Sequence, residues 1–171
     1  MTTWQMPPPA RSGPAAAGSL GVERWLTGIC ASYERWPQGE YTFRLPPTGL
    51  PLYAGHQEQR IVSSGEPAPG DVGVARRFAE VDGLGVVVLL EVGADYPSLL
   101  WDIAESRRCG LSVTAYVDPP PDGGPAWVHF SEVSLTEHPR DPLARVVSTG
   151  ALALADWTSL TGELAPAGRV C

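Results

Sequence analysis

The chain has 171 residues, of which 43% are apolar, and this length and composition predict one globular domain whose core needs no disulfide bonds. The formal net charge is −7, and the twelve basic side chains are all arginines that form no stripe, which argues against a nucleic-acid-binding face. Three widely spaced cysteines without a Cys-x-x-Cys pair argue against a disulfide framework and a zinc site, and they favour a reducing cytosol.

The N-terminal segment is predicted to lie outside the folded domain. Residues 1–18 lack the basic start and apolar run of a signal peptide, and no run in the chain approaches the length of a membrane span. Residues 1–21 have little periodicity and are predicted to form a disordered arm. We assign the folded β domain to residues 22–148, and a short helix with a loose tail to residues 149–171.

Short apolar or alternating runs between proline- and glycine-rich turns predict a β-rich chain. The run at 25–31 fits a helix or a strand, and Gly28 inside it favours a strand with a bulge or a close backbone approach. A run at 50–56 ends in His56, and the β-branched run at 85–92 predicts a strand buried on both faces. The predicted strands are 25–31, 41–45, 61–66, 72–78, 85–92, 111–117 and 126–135, with a further short element at 143–147.

One helix is predicted before the sixth of these strands. Asp95 is a plausible N-cap, and Pro97 fits the first turn, where its missing N–H costs nothing. Leu99, Leu100, Ile103 and Ala104 recur at helical spacing, Arg107 and Arg108 would occupy the last turn, and Gly110 would end the helix. A second helix is possible over 149–160. About seven strands with one or two helices predict a mainly β (α+β) fold, either a small barrel or a sandwich.

Strand alternation assigns the polar residues near this helix to faces. Ser112 and Thr114 share one face of their strand, opposite Val113, Ala115 and Val117. In the next strand, unbroken alternation predicts two sets of side chains on opposite faces: Trp127, His129, Ser131, Val133 and Leu135 on one, and Val128, Phe130, Glu132 and Ser134 on the other. His129 and Glu132 would then point to opposite faces, so that only one of them could join a given site.

Ser112 is a candidate nucleophile, because a strand directly after a helix would hold its hydroxyl on a stiff scaffold. The alternative is a strand with small polar residues on its solvent face. Cys109 is a second candidate, and its alternative role is to pack at the helix end as a small apolar residue. A serine needs a base, usually a histidine. His56 and His129 are the available candidates, with a structural role as the alternative for His56, and His138 is predicted to be solvated.

Three segments together resemble a known family. They are a strand ending in His56, the Gly-x-Ser segment from Gly110 to Ala115, and the Glu-Val-Ser-Leu segment at Glu132–Leu135 followed by Pro139. In this order and over roughly residues 25–147, the chain resembles the prohead (capsid maturation) proteases of tailed bacteriophages, which are relatives of the herpesvirus assemblin proteases. The Glu-Val-Ser-Leu segment is the most specific part of the resemblance.

The resemblance implies a serine endopeptidase with a small closed or partly open β-barrel. By position, His56 would be the base and Ser112 the nucleophile. Glu132 would be the third member of the triad, since a carboxylate orients and stabilises an imidazolium well, and His129 is the assemblin-like alternative. The loop at 139–145 could supply an oxyanion-hole donor.

The resemblance also implies a biological role. The enzyme would cleave the scaffold or the N-terminal segment of the major capsid protein, and itself, inside the assembling prohead in the cytoplasm of the bacterial host. Its partners would be the major capsid protein and the scaffold segment, with self-association possible and no nucleic acid, membrane, metal or organic cofactor implied. The alternative is a non-catalytic, assemblin-fold capsid-associated or binding domain from a degenerate prophage.

Overall fold

A computed structural model describes residues 22–54, 72–120 and 122–165. A 3-10 turn at Val22–Arg24 precedes the strands, and the strands and helices follow in chain order. The strands are β1 (Trp25–Ser32), β2 (Tyr41–Arg44), β3 (Leu50–Ala54), β4 (Gly73–Val81), β5 (Gly85–Val92), β6 (Gly110–Asp118), β7 (Ala126–Thr136) and β8 (Arg145–Thr149). The helices are α1 (Pro97–Ala104) and α2 (Gly150–Thr161).

Seven of these strands form a closed barrel. They are hydrogen-bonded in the order β7-β3-β4-β5-β1-β8-β6, and β6 pairs again with β7 to close the ring. β2 is the additional strand and pairs in parallel with the first part of β7, whereas β3 pairs in parallel with the last part. The predicted mainly β fold, with a small barrel of about seven strands and two helices, is confirmed.

The barrel core accounts for the long apolar run in β5. Val86, Val88 and Leu90 point into the barrel, where they belong to the main hydrophobic cluster. Val87 and Leu89 point outwards and pack against Trp157 of α2. Because α2 covers the outer surface of the sheet here, β5 is buried on both faces, as its sequence predicts.

Gly28 is a point of close backbone approach in β1, as predicted. A Cβ atom at this position would lie 2.5 Å from Cδ1 of Leu111 and 2.6 Å from the carbonyl oxygen of Arg145. The pairing of β1 with β8 also shifts register between Thr27 and Gly28. A glycine is required because three strands meet at this point of the wall.

The start of α1 differs from the prediction by one residue. Tyr96, and not Asp95, is the N-cap, and no side-chain hydrogen bond caps the helix. Pro97 is the first helical residue, where its missing N–H leaves no helical bond unmade. Leu99 and Ile103 are buried in the main core, as their spacing predicts.

The predicted end of α1 is wrong. The helix ends at Ala104, so Arg107 and Arg108 lie beyond its last turn, and Gly110 is the first residue of β6 and not the helix stop. The physical reason is a turn built on Asp102, whose carbonyl oxygen accepts hydrogen bonds from the backbone N–H groups of Arg107 (2.8 Å) and Arg108 (3.3 Å). This turn satisfies a helix-end carbonyl without a glycine.

The other element boundaries agree with the sequence to within a few residues. The short element predicted at 143–147 is β8 at Arg145–Thr149, and the helix predicted at 149–160 is α2 at Gly150–Thr161. The predicted strand at 61–66 and the predicted disordered arm at 1–21 lie outside the described residues. No helix in the described ranges is long and apolar enough to cross a membrane.

β7 contains a bulge at Ser131 that changes which side chains share a face. Thr114 of β6 lies opposite Glu132, but the next residue, Ala115, lies opposite Phe130. Ser131 is therefore an extra residue, and it reverses the alternation of the strand. The prediction that His129 and Glu132 point to opposite faces is wrong, because the core contains four residues of β7 from both sides of the bulge: Val128, Phe130, Val133 and Leu135.

Candidate active site

Four polar side chains lie together on the outer face of the β6–β7 pair. Ser112 is directly opposite Ser134, and Thr114 is directly opposite Glu132. Residues directly opposite each other in an antiparallel pair have their side chains on the same face, about 5 Å apart. We call this cluster, Ser112, Thr114, Glu132 and Ser134, the polar patch. Ser112 and Thr114 share a face as the sequence predicts.

Three of the four side chains of the polar patch are buried although they lie outside the barrel core, and Thr114 is half-buried. Ser112 and Glu132 are each 7% exposed, and Ser134 is fully buried. The Ser134 hydroxyl donates a hydrogen bond to Oε1 of Glu132 at 3.3 Å. A buried carboxylate needs such donors, because removal from water penalises its charge.

Ser134 is a residue that the sequence reasoning missed as a member of the site. Alternation places it on the face of Glu132, two residues away, and that spacing was the available signal. Its hydroxyl orients the carboxylate that the family resemblance assigns to the triad. Ser134 is thus a candidate positioning residue for Glu132.

His129 lies away from Ser112. Its ring stacks on Tyr116, its cross-strand partner, with centroids 4.7 Å apart and an angle of 2° between the planes. Its Nε2 atom is 3.2 Å from Oδ2 of Asp118, although the angle there is not that of a hydrogen bond. Tyr116 is four residues from Ser112 along β6, or about 13 Å at the rise of a strand. Of the two candidate third members, Glu132 is the nearer to Ser112, because its cross-strand partner is Thr114, two residues along β6.

The other two histidines are His56 and His138. His56, the predicted base, lies outside the described residues. β3 ends at Ala54, two residues before His56 in the chain, and Tyr53 of β3 is the parallel partner of Ser134. His138 is exposed in the loop after β7, as predicted.

A cavity of about 330 Å³ opens beside Ser112. One wall is β6, from Leu111 to Ala115. The opposite side comes from two loops that are far apart in the sequence, with Arg35 and Trp36 from the loop after β1 and Arg140 from the loop after β7. Ser112 is therefore both part of the polar patch and a wall residue of a cavity.

The edge of β6 that borders this cavity is paired with a described strand only at its start. β6 pairs with β8 only through Gly110 and Arg145, and the N–H of Leu111 donates to the carbonyl oxygen of Ala144 at 3.0 Å. Because backbone groups alternate between the two edges of a strand, those of Val113 and Ala115 point the same way as those of Leu111. Within the described residues, no strand pairs with this edge beyond Gly110.

Asp141 fixes the second loop against the end of β1. Its buried carboxylate accepts hydrogen bonds from the Ser32 N–H (2.7 Å), the Ser32 hydroxyl (2.9 Å) and the Leu143 N–H (3.0 Å). The Ser32 hydroxyl also accepts a longer bond, 3.4 Å, from the N–H of Arg35. We call this arrangement the Ser32–Asp141 clasp. It holds the loops of Arg35 and Arg140 to one another across the cavity.

Neither described cysteine has the features of a nucleophile. Cys30 also lines the cavity, but burial raises the pKa of its thiol far above the usual range, and its Sγ donates to the carbonyl oxygen of Val86. The reactive form of cysteine is the thiolate, which is absent from such a group at neutral pH. Cys109 is half-buried and does not line the cavity. Ser112 is left as the candidate nucleophile of this cavity.

Comparison with known proteins adds no relative to this description. No family model matches the chain, and neither the curated proteins nor the solved structures give a significant match. The resemblance to prohead proteases therefore rests on the sequence motifs around His56, Ser112 and Glu132.

Proposed function

We propose that this protein is a serine endopeptidase whose nucleophile is Ser112. The observation that carries the proposal is the position of Ser112. It belongs to a polar patch with the buried Glu132, and it also lines a cavity that borders a strand edge with which no described strand pairs beyond Gly110. A nucleophile needs both a polar environment that activates it and an open space in which the reacting carbonyl can lie.

In this proposal His56 is the base and Glu132 its orienting partner. His56 takes the proton of the Ser112 hydroxyl while Oγ bonds to the carbonyl carbon of the substrate. It then gives that proton to the leaving amine as the C–N bond breaks, and water releases the acyl group by the reverse roles. Glu132, oriented by Ser134, would accept the other ring N–H of His56 and stabilise its charged form.

The open edge of β6 favours a peptide as the substrate. An extended peptide can add to a free strand edge through main-chain hydrogen bonds, which is a common mode of peptide recognition. The backbone groups of Val113 and Ala115 would pair with the residues next to the scissile bond. This pairing would hold the peptide carbonyl alongside Ser112, one residue from Val113.

Stabilisation of the oxyanion is assigned to the loop after β7. An oxyanion hole needs donors aimed at the carbonyl oxygen as it becomes negative. Arg140 of this loop lines the same cavity as Ser112, and Asp141 fixes the loop through the Ser32–Asp141 clasp. We propose that a backbone N–H of this loop provides this donor.

The biological role that we propose is maturation of a phage prohead. The support is the order and content of the three motifs that resemble prohead proteases. The substrates would be the scaffold segment or the N-terminal segment of the major capsid protein, and the protease itself.

The test is co-expression of this chain with the capsid protein encoded beside it, with the intact mass of both products measured. We expect a shortened capsid protein with the parent and with Ser148→Ala, and a full-length one with Ser112→Ala. Ser148→Ala is the matched control because Ser148 is a buried serine on another strand of the barrel, β8, and does not line the cavity. Full-length capsid protein in every case, with the barrel still folded, would favour the non-catalytic binding domain.

A further inference from the structure

The cavity beside Ser112 has two guanidinium groups at its wall and no carboxylate paired with them. Arg35 and Arg140 come from different loops and both line the cavity. Among the described residues, neither forms an ion pair with a carboxylate, whereas Arg24 and Arg76 both pair with Glu91 at 3.0 and 2.7 Å. These two groups give this part of the wall positive charge in a chain whose net charge is −7.

Among the described residues of the cavity wall, Asp141 is the one carboxylate, and it is already engaged. Asp141 accepts three hydrogen bonds from Ser32 and Leu143, and it is 7% exposed. Two arginines and one aspartate give this described part of the wall a formal charge of +1. The aspartate thus serves the Ser32–Asp141 clasp and leaves both guanidinium groups available.

The two arginines are held in place from different directions. The guanidinium of Arg35 lies 6.0 Å from the centre of the Trp36 ring, and the Arg35 N–H bonds to the Ser32 hydroxyl. Arg140 is adjacent to Asp141 in the chain. The clasp therefore fixes the backbone at or next to each arginine, and this reduces the conformational freedom that binding would otherwise cost.

We propose that this cavity binds the carboxylate side chain of an aspartate or glutamate next to the scissile bond of the peptide. The proposal rests on Ser112 being the nucleophile, and it names the substrate class. A guanidinium matches a carboxylate geometrically with two parallel hydrogen bonds, and such charge-assisted bonds are the strong ones. Trp36 and Leu111 provide apolar wall for the methylene groups of the bound side chain.

Size and location agree with this assignment. A volume of about 330 Å³ is at the small end of ligand pockets, as expected for one side chain with its ordered water. The cavity follows β6 from Ser112 to Ala115, which is the length over which an added peptide would lie. An acidic side chain bound here would belong to a residue beside the bond that is cut.

The experiment is cleavage of a peptide library, prepared from a digested proteome, with the new termini identified by mass spectrometry. For the parent we expect Asp or Glu to be preferred over Gln and Asn beside the cut by about tenfold, as loss of a hydrogen bond to a charged group implies. The double variant Arg35→Glu/Arg140→Glu should lose this preference and favour Lys or Arg. Arg44→Glu is the matched control, because Arg44 packs over Trp127 outside the cavity and its reversal should leave the preference unchanged.

The failure of this proposal can be told apart from the failure of the protease assignment. Two results would overturn only the proposal that the cavity binds an acidic side chain. One is a set of Ser112-dependent termini without an acidic preference, and the other is an acidic preference that survives the double variant. A parent that reacts with a fluorophosphonate at Ser112 but produces no termini beside acidic residues would do the same. If there are neither Ser112-dependent termini nor fluorophosphonate labelling, the protease assignment is overturned. The proposal that the cavity binds an acidic side chain then falls with it.

Discussion

The Ser32–Asp141 clasp gives the most quantitative prediction. Asp141→Ala removes a buried carboxylate that accepts three hydrogen bonds at 2.7–3.0 Å, and it leaves the buried N–H of Ser32 without that acceptor. Hydrogen bonds to a charged group contribute about 1.5–3 kcal/mol each, and they are not additive when they share one acceptor. We therefore expect the free energy of unfolding to fall by roughly 3–5 kcal/mol, which is less than the sum of three independent bonds.

The assay is urea unfolding of the parent, Asp141→Ala, Ser32→Ala and the double variant. Ser32→Ala deletes only the hydroxyl and keeps the backbone donor, so it should cost about 1–2 kcal/mol. In the Ser32→Ala background, Asp141→Ala should lower the free energy of unfolding by less than it does in the parent. The difference should be similar to the cost of Ser32→Ala, because the Ser32 hydroxyl and the Asp141 carboxylate share a hydrogen bond. A loss below about 1 kcal/mol for Asp141→Ala, or strict additivity of the two changes, would refute the clasp as described.

Two further predictions concern the barrel wall and a titrating side chain. Gly28→Ala should destabilise the fold by about 1–3 kcal/mol, since its Cβ would meet Leu111 at 2.5 Å and the Arg145 carbonyl oxygen at 2.6 Å; an unchanged urea midpoint would contradict this close approach. Partial burial and the 2.7 Å hydrogen bond to Glu80 raise the pKa of Tyr33 from 10.0 to about 12. Because the folded state keeps this proton to a higher pH than the unfolded state, the free energy of unfolding should fall as pH rises from about 10 to 12, and Tyr33→Phe should flatten that slope. The measurement is unfolding of parent and variant at several pH values. Equal slopes would show that Tyr33 does not contribute.

Local sequence patterns predicted much of the barrel correctly. The run of Val and Leu in β5 indicated a strand buried on both faces, and both faces are covered, one by the core and one by α2. Gly28 marked a close approach because a glycine inside an apolar strand has few other uses. The alternation of Ser112 and Thr114 gave their common face. Each of these features depends on a few neighbouring residues.

The features that the sequence did not predict depend on longer-range or unmarked geometry. The bulge at Ser131 has no glycine to signal it, so unbroken alternation put Glu132 and His129 on opposite faces. The end of α1 was misjudged because Arg107, Arg108 and Gly110 imitate a helix C-terminus, while the chain leaves the helix through backbone bonds to Asp102.

The cavity beside Ser112 could not be predicted either. Arg35 and Arg140 are brought together by a hydrogen-bonded pair, Ser32 and Asp141, that spans 109 positions of the chain. No local pattern indicates that two loops so far apart will meet. The likeness to prohead proteases points to Ser112 but carries no information on which arginines surround it.

The central claim, that Ser112 is an activated nucleophile, is tested most directly by reaction with a fluorophosphonate followed by intact mass. This reagent phosphonylates a serine that has a base beside it, and it requires no knowledge of the natural substrate. We predict one label per chain on Ser112 in the parent and in the control variant Ser148→Ala, labelling slowed by about tenfold or more in His56→Ala and Glu132→Gln, and none in Ser112→Ala. A folded parent that takes up no label, or that is labelled equally after Ser112→Ala, would contradict the account.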